Sequence, residues 1–579
     1  MKTIYNIKAF SLLVLLTLSA SVASQENNVS REMTLEREYD PSVQDANKVN
    51  TLPAVKEPVI SKIPIDYSTF TIAGEPQREL DILPSGSVMT DMKYNNRRGY
   101  LNLGVGTYLN VNADAGYHIL STDKDQLNIF FSHRSTSGNL KYVQDSWDSV
   151  KVKAKLNDNL GGINFRHQFD RAALKLGAKY GYSSYNYYGV PGPTPQTYAV
   201  FPSSEYPLLD ETSQVNQLIK INGGVESDED AAVGYVVDLD YTNFSYKYGL
   251  SEDRDGITEH SIGGKLGLSG GFGGNQRIGI GAKFNYFNYS LPYDNPVFEN
   301  YFEGTLNPYY TVEGDSWKVK LGVKAMLITG DSSKFFVSPD IAAEVLVGTK
   351  TVLYLVADGD IGSNSAYQLS RENRYINPEN RVMASRTWLD AKVGLKSGVA
   401  PGFWFNLFGG YKITDKDYFF IPNFPPQGFA NVSDALSLNS KRLQGGLEMK
   451  YAYQNTFEIM LKGVYNNWDI EEKKNAPVEY KAYGRPEMEF TAGIMVRPID
   501  DLSLNLDYYL ATGRETYVSG LKNEKLKNIN ELNFTGSYNF NDTFGAYVKL
   551  NNLLFQKYEK LYGYPLQGFN VMVGINLNF

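Results

Sequence analysis

From about Tyr100 to the last residue, apolar and polar positions alternate one by one along much of the chain. Trp317, Val319, Leu321, Val323 and Ala325 share one face of such a run, and Lys318, Lys320, Gly322 and Lys324 share the other. The same period places Leu174, Leu176, Ala178, Tyr180 and Tyr182 against Lys175, Gly177, Lys179 and Gly181. It recurs at Ile278, Ile280, Ala282, Phe284 and Tyr286 against Gly279, Gly281, Lys283 and Asn285, and at Leu502, Leu504 and Leu506 against Ser503, Asn505 and Asp507. A period of two describes a β-strand with one apolar and one hydrated face. Two architectures satisfy it. In a soluble sandwich the apolar faces meet each other; in a transmembrane barrel they meet lipid while the other face lines a wet lumen. On the second reading Lys175, Lys179, Lys318, Lys320, Lys324 and Asp507 face the lumen.

The connections separate the two readings. Short ones fall at Asp170-Arg171, Ser227 to Asp230, Gly273 to Asn275, Gly314-Asp315, Gly348 to Lys350, Pro401-Gly402, Gln454-Asn455, Asp500-Asp501 and Asn541-Asp542. Most carry Gly, Pro, Asn or Asp, the residues that supply turn geometry. Between them lie long stretches: Tyr187 to Gln214, Ile361 to Ala384, Thr414 to Ser440, Ile470 to Pro486 and Leu554 to Gly568, with Thr329 to Lys334 a short exception. Further tight turns near Thr107 to Asn110 and at Ser121 to Gln126, with Val150 to Phe169 as one long strand, bring the count to about 22. A sandwich has no reason to segregate short and long connections. The expected fold is all-β, a closed antiparallel transmembrane β-barrel of about 22 strands with short periplasmic turns and longer extracellular loops.

The N-terminus adds export. Lys2 and Lys8 precede the apolar run Phe10 to Leu18 and the small residues Ala20 to Ser24, the composition of a secretory signal peptide over residues 1–23. The run is shorter than the ~20 apolar residues that span hydrocarbon. Residues 24–96 are polar and charge-mixed, with Pro53, Pro58 and Pro64, and read as an extended, partly disordered segment in the periplasm or the lumen. The barrel occupies 97–579. A mean hydropathy of -0.35 excludes a bundle of membrane helices, and the chain's 0 Cys rule out disulfide staples. A net charge of -8 argues against a nucleic-acid partner.

No catalytic constellation is evident, and neither a metal site nor a cofactor is expected. His118, His133, His167 and His260 lack metal-ligand spacing. No nucleophile or phosphate-binding motif is present. Asp358-Gly359-Asp360 opens like a calcium loop but lacks the remainder of that pattern. The loops carry the functional hints. Tyr418, Phe419, Phe420, Phe424 and Phe429, stiffened by Pro422, Pro425 and Pro426, suit stacking on a ligand; Tyr187 and Tyr188, with Tyr185, Tyr198 and Phe201, form a second cluster. The alternative is that these aromatics pack on one another and close the barrel mouth.

The C-terminus carries a resemblance. Val548-Lys549-Leu550-Asn551-Asn552-Leu553, then Tyr558, then Gly563-Tyr564-Pro565-Leu566-Gln567-Gly568 resemble the end of the barrel in TonB-dependent receptors. That resemblance implies a 22-stranded barrel and a solute transporter or receptor. The final strand, with Gly574, Leu577 and Phe579, resembles the signal read by the outer-membrane assembly machinery, although Met572 stands where a polar residue is usual. The family places a globular plug of well over a hundred residues ahead of the barrel; here residues 25–96 are shorter and carry no recognisable plug motif or TonB box, which leaves TonB coupling open. The expected partners are outer-membrane lipid, the assembly machinery and a periplasmic or surface protein. Two functions follow: a transporter or receptor, or a plugless barrel serving assembly or protein interaction.

Overall fold

The computed structural model describes residues 97–579 except 148–149, 193–212, 229–230, 251–254, 292–298, 331–332, 349, 425–430, 472–477 and 519–521. The expected signal peptide and the segment 24–96, with its missing plug, lie outside the described residues. Twenty-two strands form one sheet. They are β1 (Gly99–Gly106), β2 (Asn110–Ser121), β3 (Asp125–Lys141), β4 (Lys151–Gln168), β5 (Ala172–Asn186), β6 (Ser213–Ser227), β7 (Val233–Tyr246) and β8 (Thr258–Phe272). Next come β9 (Gln276–Ser290), β10 (Tyr301–Glu313), β11 (Trp317–Ile328), β12 (Lys334–Val347), β13 (Thr351–Gly362), β14 (Ser385–Ala400) and β15 (Phe403–Asn423). The ring ends with β16 (Val432–Tyr453), β17 (Phe457–Ile470), β18 (Met488–Ile499), β19 (Leu502–Thr512), β20 (Ile529–Asn539), β21 (Phe544–Asn551) and β22 (Asn570–Asn578).

Each strand pairs antiparallel with its sequence neighbours, and β22 pairs back onto β1 from Tyr100 opposite Asn578 to Gly106 opposite Met572. Closure leaves no free edge, so every backbone group in the wall finds a partner without water. At the seam Gly104 faces Gly574, and the Tyr547 side chain lies across both. A Cβ at Gly574 would collide with the Leu103 carbonyl and the Tyr547 ring. That close approach is a packing reason for glycine there.

The phase of the alternation sets the two faces. Leu321, Val323 and Ile278 are 51%, 47% and 57% exposed, as are their counterparts around the ring, and form the outer apolar belt. None of the described helices is long and apolar enough to cross a membrane; the strands make the crossing. All the tight periplasmic turns named above fall between strands, and Thr107–Leu109 joins Thr329 to Lys334 as a short connection on the outer side.

One expected loop differs. The stretch Thr414 to Ser440 continues β15 and β16 beyond the membrane, with Asp417 to Asn423 paired to Leu438 to Val432 after a bulge. The reason is burial on both faces: Phe419 is fully buried with Leu438 and Tyr483, and Phe420 packs with Leu369 and Ile376. Tyr418 and Phe420 thus take part in a strand rather than a free loop.

Candidate functional site at the barrel mouth

The loop between β13 and β14, residues 363–384, folds inward. Ser365 caps its one-turn-and-more helix α1 (Ala366–Glu372), its hydroxyl accepting from the Gln368 N–H while the Gln368 side chain reaches back to the Ser365 N–H. That reciprocal cap satisfies orphan donors at the helix start. Groups from strands far apart around the ring then hold the loop. The Tyr301 hydroxyl of β10 donates to the Ser363 carbonyl at 2.8 Å, and the Ser363 hydroxyl donates to Glu303 at 2.7 Å. Glu259 of β8 accepts from the Ala366 N–H at 2.6 Å, and Asn216 of β6 donates to the Ser370 hydroxyl at 3.2 Å. Arg374 pairs with Asp158 of β4 at 3.0 Å while its carbonyl accepts from the Tyr185 hydroxyl of β5 at 2.6 Å. Opposite these, the Ser433 N–H of β16 donates to the Tyr375 carbonyl at 2.8 Å.

The loop is therefore a strap fastened on both sides of the mouth. Its innermost charge is the pair of Glu372 with Arg485, 2.9 Å apart, with the Tyr418 hydroxyl also donating to Glu372. Burial alone would lower the Arg485 guanidinium, but Glu372, Tyr418 and Asp417 outweigh it and hold Arg485 above its ordinary value. Tyr375 stacks on Tyr564 with centroids 4.1 Å apart, joining the strap to the loop between β21 and β22.

That second loop forms a companion seal. Its hairpin, Glu559–Leu561 with Tyr564–Pro565, packs into a core of Leu140, Tyr142, Trp147, Val152, Tyr188 and Val190. Glu559 accepts from the Gln144 amide at 2.8 Å and from the Gly563 N–H at 2.8 Å. Burial pushes its carboxyl up to about 7, against the opposing effect of Gln144, Gly563 and Arg514.

The residues expected to bind a ligand are brought together here as packing. Tyr187 and Tyr188 are buried, their hydroxyls donating to the Ile376 and Pro565 carbonyls. Phe419 and Phe420 are buried, Tyr418 lies over Phe420, and Phe424 is half-buried against Tyr562. Phe429 lies outside the described residues. The strap residues Ser363, Arg374 and Tyr375 were not singled out from the sequence, although the Ser365-x-x-Gln368 cap was there to be read.

Below the mouth, the charged residues on the face opposite the belt pair along the wall. Lys175 meets Glu226 at 2.6 Å, Lys320 meets Asp340 at 2.5 Å, Lys324 meets Asp358 at 2.6 Å and Lys318 meets Glu313 at 3.3 Å. Lys179 lies over the Phe130 ring at 5.9 Å, and Asp507 sits in register between Gly493 and Asn533. The four histidines are hydrogen-bonded to wall neighbours, His167 to Asp125 at 2.7 Å and His260 to Tyr241 at 2.9 Å among them. Among the described residues no group of acidic or histidine side chains is placed to hold a metal ion.

Solved structures match this architecture. The FrpB iron transporter of Neisseria meningitidis has a TM-score of 0.64 at 10% identity, over 84% of this chain and 82% of that one. The closed form of the ferric-catecholate import receptor Fiu of E. coli K12 gives 0.61 at 10%, over 84% and 82%. The copper transporter OprC gives 0.58 at 11%, over 83% and 80%. The fold is that of the TonB-dependent receptors. No protein-family model and no curated protein matches the chain. The chain is an outer-membrane β-barrel, and the likeness at this identity concerns its fold.

Proposed function

We propose that the chain is an outer-membrane transporter or receptor of TonB-dependent-receptor type whose mouth is closed by its own β13–β14 strap, and that solute passes when the strap moves aside. The observation that carries this reading is the strap's fastening to β4, β5, β6, β8 and β10 on one side and to β16 and Arg485 on the other. A 22-strand ring is too wide for wall side chains to fill, so something else must close it. The aromatic residues Tyr187, Tyr188, Tyr418, Phe419, Phe420 and Phe424 then serve closure first, and meet solute as the strap leaves. Because structural neighbours are an iron transporter, a ferric-catecholate import receptor and a copper transporter, metal-carrying solutes are the first class to test. The wall's paired lysines and carboxylates suit a polar, hydrated passage. Gly574, Leu577 and Phe579 would present the last strand to the assembly machinery.

The test is conductance. Replacing residues 363–384 with a short glycine-serine linker in the full chain should raise single-channel conductance in planar bilayers and speed liposome swelling. An assembled, heat-modifiable barrel with unchanged conductance would refute strap closure and favour a barrel that serves assembly or protein interaction.

A further inference from the structure

Above the membrane, the β3–β4 hairpin carries a face that the transport reading does not use. Lys141 stands opposite Lys151, Asn139 opposite Lys153 and Ser137 opposite Lys155. All four lysines are exposed. The alternating residues Leu140, Val152 and Ala154 are buried in the core with Tyr142, Trp147 and Tyr564. Since successive strand side chains point to opposite faces, the lysines point outward, away from the lumen.

The height of this face is set by register. On the same outward face lower down, Phe131, Ile129 and Ile163 belong to the exposed apolar belt. On the adjacent β2, exposed Val111 pairs with Ser135, which marks the upper edge of the belt. Lys155, opposite Ser137, is one outward step above that edge; Lys153 is two steps above, and Lys151 with Lys141 three. At ~3.3 Å per residue and a tilt near 40°, those steps rise about 5, 10 and 15 Å above the apolar boundary. That is headgroup and sugar height for an outer-leaflet lipid. Among the described residues none of the four lysines has an ion-pair partner, whereas the outward Lys441 on β16 approaches Asp469 at 3.9 Å. Outward Asn157 and Asn159 add amides beside the ladder. Four unpaired cations in a column stand out on a chain whose net charge is -8.

We propose that Lys141, Lys151, Lys153 and Lys155 form an outward cationic ladder that binds the phosphates of an outer-leaflet glycolipid. The column matches a headgroup with several anionic groups at successive heights, anchored by acyl chains on the belt directly beneath. The ligand is thereby a lipid rather than a free phosphate, because the belt and the ladder share one face.

The experiment uses the full chain, assembled in detergent micelles, with purified bisphosphorylated lipid A as the probe and its dephosphorylated form as the control, read by native mass spectrometry. Substituting all four lysines by Asn should weaken binding of the bisphosphorylated lipid tenfold or more, given roughly fivefold for each cation at an anionic surface. The four Lys→Arg changes should preserve it, and added salt should erase the difference between native and Asn forms. Heat-modifiability confirms that each variant is an assembled barrel. Should the Asn form instead bind the bisphosphorylated lipid as the native chain does, the proposal is overturned. It is equally overturned if inorganic phosphate alone competes the lipid away, or if the Asn form loses the dephosphorylated lipid to the same degree.

Discussion

The pair of Glu372 with Arg485 is where strap closure can be tested by energy. Both side chains are largely out of water, at 8% and 17% exposed, and only 2.9 Å apart. Glu372→Leu would leave the Arg485 charge buried without its main counter-charge, a change that costs about 3–5 kcal/mol. The other strap fastenings are single hydrogen bonds contributing about 0.5–1.5 kcal/mol each, together with the partly exposed Arg374–Asp158 pair. One substitution thus removes a large share of what holds the strap and raises its open fraction by ~10²–10³-fold, at 1.4 kcal/mol per decade. Replacing the whole constellation, with Glu372→Leu, Arg485→Met and Tyr418→Phe together, should restore closure to within about 1 kcal/mol, since apolar groups of similar volume substitute for a buried ion pair at little cost. Single-channel conductance in planar bilayers is the assay. Open events should be frequent in the single variant and rare in the triple one. If the single variant conducts like the native barrel while remaining heat-modifiable, the pair does not hold a gate; if the triple variant leaks like the single one, its role is more than electrostatic.

Three further outcomes follow from the same geometry. Val323→Arg puts a charge on the belt, at ~2–4 kcal/mol near the bilayer midplane, and should impair assembly in heat-modifiability gels, whereas Lys320→Gln, which leaves Asp340 its Asn307 contact at 2.8 Å, should assemble normally. Glu559, whose folded pKa of about 7 lies above the solvated value of 4.5, should favour the docked hairpin fully below pH 4.5 and progressively less as pH rises through 7, by at most about 3 kcal/mol; conductance should therefore rise between pH 5 and pH 8, and Glu559→Gln should flatten that slope. Removing residues 25–84, read from the sequence as extended and long enough to restrict a lumen, should increase antibiotic uptake, and unchanged uptake with an assembled barrel would mark the segment as a periplasmic tail.

Strand number, closure and turn positions were legible because they rest on local signals. The period of two needs only neighbouring residues, and Asp170-Arg171 or Asn541-Asp542 announces its turn within a few positions. The mouth was not legible in the same way. Arg374 meets Asp158 across 216 positions of chain and Tyr188 meets Pro565 across 377, and no local pattern encodes such pairings. Burial on both faces erased the alternation over Tyr418, Phe419 and Phe420, so β15 read as a loop where it continues as a strand. The tendency of these aromatics to stack was readable; that they stack on residues of their own chain was not.

A feature of the alternation itself shows where each strand leaves lipid. Along β11 the exposed apolar residues Leu321 and Val323 occupy odd positions, while the buried Met326 and Ile328 occupy even ones. Along β7 the exposed run Val233, Tyr235, Val237 and Leu239 is odd, and buried Phe244 and Tyr246 are even; β3 passes likewise from exposed Ile129 and Phe131 to buried Leu140. The strand keeps its period of two, but the apolar phase inverts, because below the inversion water is inside and lipid outside, and above it packed loops are inside and water outside. Two substitutions of the same kind in one strand should therefore fail at different steps. Ile129→Arg places its charge in lipid, at a cost of ~2–4 kcal/mol at mid-depth, and should reduce the amount of barrel inserted. Leu140→Arg places its charge in the mouth core beside Tyr142 and Trp147, above the bilayer, and should leave insertion intact while disrupting the loop packing and raising conductance. Heat-modifiability and single-channel recording on the two variants separate the steps. An insertion defect of equal size in both would mean that Leu140 lies in the belt, and that the inversion does not mark the membrane boundary.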